Sequence, residues 1–482
     1  MCAKNKGRLL VKNCLRSVCI HGVGIALFFA APLRAQTANS LPEATRAEID
    51  RTTGEIMKAT GVPSAVIAIV RDNKVAYEHA YGDARLDPRL AASADMPYSV
   101  GSISKQFTAT AILMLAEQGK LSLDDPVSKF LPDLTRARDV TVRQILSHTS
   151  GYQDYWPQDY VPPFMIHPIT AQEILERWAR KPLDFDPGTQ YQYSNTNFVI
   201  AGLIIEKVSG MPFMDFLRDR IFAPLQMNGV VDVNLGTLGD SAPTGYLRFA
   251  LGPPRPAPKE GKGWLYAAGE LAMPVADLEK WDIAMLERRI LKPESYRAQQ
   301  TLVMLKTGLA TKYGLGIGVD ELAGHKVLEH GGEVSGFSAE NMIFPDDRSA
   351  VIVFVNQDST EAPQRIAGTI EQILFRENDE RTAAETARAR KAFEDLQSGT
   401  LDRPMFTANA LSYLTAQALQ DFKSSLGPLG SLSAFRQSSR HARGGFIVCT
   451  YYARLGAKIV VVSTNETVDG KFEQYEVLQE NA

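Results

Sequence analysis

A serine and a lysine three positions apart, Ser102 and Lys105, are the most chemically suggestive pair in this 482-residue chain. The residues after Lys105 are apolar nearly all round, which predicts a buried helix that begins at this pair. The hydroxyl and the amine would then lie one turn apart on one face of the helix. A serine needs a neighbouring base to act as a nucleophile, and a lysine whose pKa is lowered by burial can be that base. Alone, the pair also fits an ordinary polar helix start.

Tyr193 and Asn195 stand in a second polar stretch, between the turn signal Pro187-Gly188 and an apolar helical pattern that begins near Phe198. This placement predicts a loop or the first turn of a helix, where side chains that act on a substrate are often presented. Taken alone, the same residues fit an asparagine cap beside a packed tyrosine.

His330, followed by Gly331, Gly332 and Glu333, forms the third stretch. The residues before it predict a short strand that ends at the histidine. Glycines in such a position often mark a place where a ligand or another backbone approaches closely. The alternative is a glycine turn beside a structural histidine.

Together and in this order, the three stretches resemble the serine β-lactamase and penicillin-binding-protein superfamily. The most similar branch holds class C β-lactamases, D-alanyl-D-alanine carboxypeptidases, D-aminopeptidases and related esterases, which are peptidase family S12-like proteins. Three further stretches share the resemblance: Leu146–Gly151, Ala267–Gly269 and Gly336–Ser338. The resemblance extends from about residue 41 to about residue 375. It implies an α/β (α+β) fold, in which an antiparallel sheet is flanked by helices and carries a helical subdomain.

The resemblance also implies an acyl-enzyme mechanism. Ser102 would attack a carbonyl group, while Lys105 and Tyr193 would take its proton and pass it to the leaving group. Asn195 would hydrogen-bond the substrate amide and help to orient Lys105. The backbone N–H groups of Ser102 and Glu333 would form an oxyanion hole, where one donor is often worth about 3 kcal/mol.

His330 is a departure from the β-lactamases of this branch, which carry a lysine there in a Lys-Thr-Gly motif. A lysine stays charged and suits a β-lactam carboxylate, whereas a histidine with its ordinary pKa of about 6.5 is only partly charged near neutrality. Gly331 also lacks the hydroxyl of that threonine. His330 and Gly332 are still expected to bind substrate, and titration of His330 is expected to give an inflection in the pH–rate profile near its ordinary pKa.

We therefore expect a serine hydrolase that cleaves amide, peptide or ester bonds, with D-amino-acid peptides, including peptidoglycan-derived ones, and small esters as leading substrates. The alternatives are a class C-like β-lactamase of weak activity and a non-catalytic relative that binds penicillin or peptidoglycan. The sequence leaves the oligomeric state open.

Other functional classes have weaker support. His148 could be a triad base, but its neighbours Ser147, Thr149 and Ser150 resemble a structural loop of the family, and no Gly-x-Ser-x-Gly elbow occurs. The absence of His-Glu-x-x-His and Cys-x-x-Cys patterns disfavours a metal site, and no cofactor is expected. A net charge of −3 without a basic block makes nucleic acid an unexpected partner.

Residues 1–35 are predicted to be a signal peptide. Five basic residues precede an apolar run from Val18 to Ala31, which is short for a bilayer span, and Ala35 is a plausible cleavage position. The alternative is an uncleaved anchor. Cleavage would remove six basic and no acidic residues, taking the formal charge from −3 to −9 and leaving Cys449 as the only cysteine. We expect an exported, periplasmic protein with no stable membrane span after cleavage.

The remaining chain divides into three parts. Residues 36–375 are predicted to be the hydrolase domain, and residues 376–403 a charged helical linker. Residues 404–482 are predicted to be a small α+β domain of unknown role, with a helix from Asn409 to Leu426 followed by three strands.

Overall fold

A computed structural model describes residues 40–234, 238–239, 242–322, 324–376, 380–456 and 458–479. The predicted signal peptide lies outside the described residues. The hydrolase part is built on one antiparallel sheet of seven strands, in the order β3-β2-β1-β12-β11-β10-β9. These strands are β1 Ser64–Arg71, β2 Lys74–Leu86, β3 Arg89–Ala91, β9 Gly318–Leu322, β10 His325–Val334, β11 Phe337–Phe344 and β12 Ser349–Val355. The predicted fold class is confirmed.

The short strands of this part form two smaller sheets. They are β4 Tyr98–Ser99, β5 Val231–Asp232, β6 Tyr246–Leu247, β7 Arg255–Pro256 and β8 Leu271–Met273. The helices are α1 Glu43–Thr60, α2 Ser104–Glu117, α3 Val142–Leu146, α4 Ala171–Ile174, α5 Asn195–Ser209, α6 Phe213–Leu217, α7 Tyr266–Gly269, α8 Val275–Leu286, α9 Pro293–Gln299 and α10 Ala362–Arg376.

The two faces of the large sheet border separate hydrophobic cores. On β1, Val66 and Ala68 belong to the first core, while Ala65 and Ile67 belong to the second. This alternation follows from the two-residue period of a strand and makes β1 buried on both faces. Helices α1 and α10 complete the second core, and α2 and α5 the first.

Asp72 and Asn73 join β1 to β2, and both have positive φ angles, of 50° and 61°. One strand boundary differs from the sequence-based expectation, because the strand expected to end at His330 continues to Val334. Glycines at 331 and 332 do not end β10 because its pairing with β11 continues through them.

The C-terminal part has a third, separate hydrophobic core. Its helices and strands are α11 Glu380–Ser398, α12 Ala408–Tyr413, α13 Ala416–Leu426, β13 Leu432–Arg443, β14 Phe446–Leu455, β15 Lys458–Glu466 and β16 Phe472–Gln479. Helix α11 places Ala389, Phe393 and Leu396 in this core. The segment interpreted as a linker is thus a structural part of the small domain. The single helix expected from residue 409 to 426 is two helices, α12 and α13.

In the described part of the chain, no single helix is both long enough and apolar enough to cross a bilayer. One bent pair, Asn195–Ser209 with Phe213–Phe222, meets the requirements of length and composition when the two are counted together.

Candidate active site

Ser102 and Lys105 lie where a 3₁₀ turn, Gly101–Ile103, runs into α2. The Lys105 side chain is fully buried. Its Nζ lies 2.8 Å from Ser102 Oγ, 2.8 Å from Asn195 Oδ1 and 2.7 Å from the Ala268 carbonyl oxygen. The structure therefore brings two predicted site residues, Ser102 and Asn195, to a single amine, together with Ala268 of the family-like stretch Ala267–Gly269.

Burial lowers the pKa of Lys105 to about 7, although the negative charge of Asp154 acts in the opposite direction. A neutral amine has two N–H donors and one lone pair. The carbonyl oxygens of Asn195 and Ala268 can only accept, so they use both donors and leave the lone pair for the Ser102 hydroxyl. The local contacts thus select the arrangement in which Lys105 can accept the proton of Ser102.

Asn195 is the first residue of α5 and is oriented by Asp154, which the sequence analysis did not identify. Its backbone N–H and its Nδ2 donate to the two carboxylate oxygens of Asp154, at 3.0 and 3.2 Å. Burial raises the pKa of Asp154 to about 6, and the hydrogen bonds from Asn195 and Trp156 offset part of that rise. The only available signal was the position of Asp154 a few residues after the family-like stretch that ends at Gly151.

Tyr193 lies over Lys105, with the lysine Nζ 5.0 Å from the centre of the phenol ring. Its hydroxyl is buried and has no hydrogen bond of ordinary geometry. Burial raises the pKa of Tyr193, and the nearby Ser102 hydroxyl offsets only part of that rise. Tyr193 is therefore a neutral proton donor near neutral pH, and the neutral amine of Lys105 is the base that is available beside Ser102.

His148 packs against Tyr193 and does not contact Ser102. The two rings stack with their centres 4.2 Å apart, and His148 Nδ1 accepts the backbone N–H of Ser194 at 3.1 Å. Burial holds the pKa of His148 well below its ordinary value. The alternative role of a triad base is therefore wrong.

His330 is buried and neutral. Its Nδ1 lies 2.6 Å from the Gly331 carbonyl oxygen, which can only accept, so Nδ1 carries the proton and Nε2 accepts from the Tyr313 hydroxyl at 2.7 Å. Burial, with a contribution from the charge of Lys105, lowers the pKa of His330 to about 3. The expectation that His330 titrates near its ordinary pKa is wrong, because the side chain is buried, which no local residue pattern indicated.

Two glycines allow the Ser102 turn to approach the edge of β10. A Cβ atom on Gly332 would lie 2.0 Å from the Val100 carbonyl oxygen and 3.4 Å from Ser102 N. A Cβ atom on Gly101 would lie 2.7 Å from Glu333 N. The backbone nitrogens of Ser102 and Glu333 thus border one contact, while the Glu333 side chain is exposed. No group of three potential metal ligands occurs among the described residues.

Comparison with protein families gives a match to the family described as Beta-lactamase over residues 49–374. A D-aminopeptidase of Brucella anthropi is 31% identical over 298 residues, which cover 61% of this chain and 56% of that protein. Penicillin-binding protein 4* of Bacillus subtilis is 28% identical over 319 residues, covering 62% of this chain and 70% of the relative. The chain thus spans little more than half the length of the D-aminopeptidase.

Solved structures show the same similarity. A D-stereospecific amidohydrolase from Streptomyces sp. has a TM-score of 0.59 and 29% identity, covering 66% of this chain and 96% of its own. The octameric penicillin-binding protein homologue from Pyrococcus abyssi has a TM-score of 0.62 and 22% identity. That likeness, which concerns the fold alone, covers 90% of this chain and 98% of the other.

Proposed function

Because the chain belongs to the β-lactamase family, we propose that it is a serine hydrolase that forms an acyl-enzyme on Ser102 and cleaves amide, peptide or ester bonds. D-amino-acid peptides and amides and small esters are its leading substrates in this proposal, since its relatives include a D-aminopeptidase and a D-stereospecific amidohydrolase. The observation that carries the proposal is the 2.8 Å contact between the buried Lys105 amine and Ser102 Oγ.

In the acylation step, neutral Lys105 takes the Ser102 proton as Oγ forms a bond to the substrate carbonyl carbon. The resulting oxyanion is stabilised by the backbone N–H groups of Ser102 and Glu333, which border the contact between the serine turn and β10. Tyr193 then protonates the leaving nitrogen or oxygen as its bond to carbon breaks, and Lys105 returns a proton to Tyr193. The acyl group remains on Ser102.

In the second step, a water molecule attacks the acyl carbon. Lys105 accepts a proton from that water, the bond to Oγ breaks, and Ser102 recovers its proton. Asn195 holds Lys105 in place throughout, because its Oδ1 accepts one of the two amine hydrogens. The products are the free acid and the regenerated enzyme.

β-Lactam hydrolysis is the less favoured alternative. Neutral His330 provides no positive charge for the carboxylate of a β-lactam, and Gly331 provides no hydroxyl group. A non-catalytic peptidoglycan-binding relative would not need a lysine whose burial lowers its pKa to about 7. We therefore place both alternatives behind the hydrolase of D-amino-acid amides and esters.

We also propose that the protein is exported to the periplasm after cleavage near Ala35, from the basic and apolar composition of residues 1–35. Cell fractionation followed by N-terminal sequencing of the mature protein tests this. A mature chain that starts at Gln36 or within a few residues of it is expected, and an intact N-terminus in the cytoplasmic fraction would contradict export.

Intact-mass spectrometry tests the nucleophile directly. An activated phosphonate should add one adduct to the wild-type protein and none to Ser102→Ala, with the adduct located on Ser102 by peptide mapping. Ser122→Ala is a matched control outside the site and should label like the wild type. Labelling that persists on folded Ser102→Ala would disprove the proposal.

A further inference from the structure

A pocket of about 450 Å³ opens beside the proposed active site, with Tyr193 and His330 in its wall. It lies at the edge of the large sheet, where β9 separates from β10. The pairing of these two strands ends at Gly318 and Glu329, so the pocket borders the part of β10 that leads to Gly332 and the serine turn. Of the proposed site residues, Tyr193 and His330 line the pocket, so it lies next to the place where the scissile bond would lie.

The pocket extends from one face of the sheet to the other. Tyr193, Tyr313 and His330 line it on the face of the catalytic lysine, while Glu340 and Gln364 line it on the opposite face. Gly331 allows this passage because it has no side chain: a Cβ atom there would lie 3.3 Å from Glu340 Oε2. Gly331 thus leaves the carboxyl group of Glu340 accessible from the pocket. The same glycine lacks the hydroxyl group that would suit a β-lactam carboxylate.

The charged groups of the pocket are mainly acidic. Glu340 is 6% exposed and accepts a hydrogen bond from Gln364. Burial raises the pKa of Glu340 to about 8, and the negative charge of Glu329 contributes to this rise, so Glu340 is largely protonated near neutral pH. Lys312 is the one lysine or arginine among the described lining residues, and its Nζ is paired with Asp320 at 2.7 Å.

Tyr193 determines which part of a substrate would enter the pocket. In the mechanism above it donates a proton to the leaving group, so the leaving group lies on the side of the phenol, where the pocket begins. The buried Tyr193 hydroxyl has no hydrogen bond of ordinary geometry, and the Ser102 hydroxyl lies near it, so a substrate held at Ser102 would also lie beside this phenol. A leaving group that extends past Tyr193 would then meet Glu329 and Glu340.

We propose that this pocket binds the leaving-group part of the substrate and selects amines that carry a positive charge over amines that carry a carboxylate. This inference rests on the serine hydrolase function proposed above. A cation is attracted by Glu329 and can donate a hydrogen bond to the carboxyl group of Glu340, whereas a carboxylate is repelled by Glu329 and meets no unpaired positive charge among the described lining residues. Neutral amines fall between the two.

The test compares three amides of one acyl group, either D-alanyl or the simple acyl group that the wild type turns over fastest. The leaving amines are diaminobutane, n-butylamine and γ-aminobutyrate, which have the same chain length and differ in charge. The kcat/KM of the diaminobutane amide should exceed that of the γ-aminobutyrate amide by about tenfold or more. Equal values, or faster turnover of the carboxylate-bearing amide, would overturn the inference.

Glu329→Gln and Glu340→Gln connect this preference to the pocket. Glu329→Gln should reduce the cation-to-carboxylate ratio by about threefold or more, mainly through KM, and Glu340→Gln should reduce it by a smaller factor near neutral pH, because Glu340 is largely protonated there. Glu321→Gln is the matched control, since Glu321 is exposed on β9 and does not line the pocket. If Glu340→Gln does not fold, Glu329→Gln alone decides, and an unchanged ratio in that variant would overturn the inference.

Phosphonate labelling separates this inference from the function on which it rests. A wild-type protein that takes no label and turns over no amide or ester disproves the hydrolase itself, and the pocket inference with it. A protein that labels on Ser102 but shows no charge preference among the three amides disproves only the role of the pocket.

Discussion

Asp154 accepts two hydrogen bonds from Asn195, one from the backbone N–H at 3.0 Å and one from the side-chain Nδ2 at 3.2 Å. Because both oxygens of the carboxylate are used, the amide of Asn195 can present only its oxygen to Lys105, which it does at 2.8 Å. Asp154 is therefore a positioning residue that acts on the catalytic lysine through Asn195, and its negative charge also raises the pKa of that lysine.

Asp154→Asn should lower kcat/KM by about tenfold or more, because the amide can now flip and present Nδ2 to Lys105. It should also move the inflection of the pH–rate profile to lower pH, since loss of the negative charge lowers the pKa of Lys105 further. The measurement is kcat/KM from pH 5 to 9 (in steps of about 0.5) with an ester substrate. A purely structural role for Asp154 would reduce activity without moving the inflection, and Asp133→Asn, at an exposed position, is the control.

For the wild type, kcat/KM should rise with pH through about 7 and then level, because Lys105 must lose its proton before it can accept one from Ser102. Lys105→Arg should be inactive throughout this range, since a guanidinium keeps its proton. His330→Gln should retain an inflection near that of the wild type, whatever its effect on kcat. An inflection that disappears in His330→Gln would contradict the assignment to Lys105.

Gly332→Ala should damage both stability and activity. The added Cβ atom would lie 2.0 Å from the Val100 carbonyl oxygen, so the edge of β10 must move away from the serine turn. We expect a loss of about 1–3 kcal/mol in the free energy of unfolding, together with a large loss of kcat, because the donors at Ser102 and Glu333 separate. Chemical denaturation and ester hydrolysis measure the two effects.

The control for this substitution is Gly54→Ala in α1, where an added Cβ atom would have no neighbour within 4 Å. This change should leave hydrolysis intact and keep or raise the stability, because alanine is the better helix former. A Gly332→Ala protein with the stability and the kcat of the wild type would show that the close approach is unimportant.

Cys449→Ser should leave kcat/KM unchanged within about twofold. The thiol is buried in the hydrophobic core of the small domain, which is separate from the core beside Ser102. Burial raises the pKa of Cys449 to about 11, so the native thiol should react slowly with iodoacetamide at neutral pH and rapidly after denaturation. Fast alkylation of the native protein accompanied by loss of turnover would contradict this prediction.

The chemical identity of the site was predictable from sequence because it depends on short motifs. Ser102 and Lys105 lie one turn apart as their spacing predicted, and the apolar run after Lys105 predicted the burial on which the lowered pKa depends. The approach of Tyr193 and Asn195 to Lys105 was implied by the family resemblance. The antiparallel sheet flanked by helices was expected too, because the family resemblance implied it.

What could not be predicted depends on contacts between distant segments. Asp154 precedes Asn195 by some forty residues, and no local pattern distinguishes it from other loop carboxylates. The charge state of His330 depends on a hydrogen bond from Tyr313 and on burial. The role of α11 in the third core was hidden by its many charged residues, because its apolar positions are mostly alanines and carry a weak amphipathic signal.

At the centre of the large sheet, β1 pairs with β12, with Ala65 opposite Val355. Strand β1 is synthesised first and can pair with β2 early, but its other edge can pair only after β12, near the end of the domain, has been synthesised. Such long-range pairing predicts slow folding that cannot be completed on the nascent chain. Any truncation before residue 349 should therefore leave β1 as an open, aggregation-prone edge.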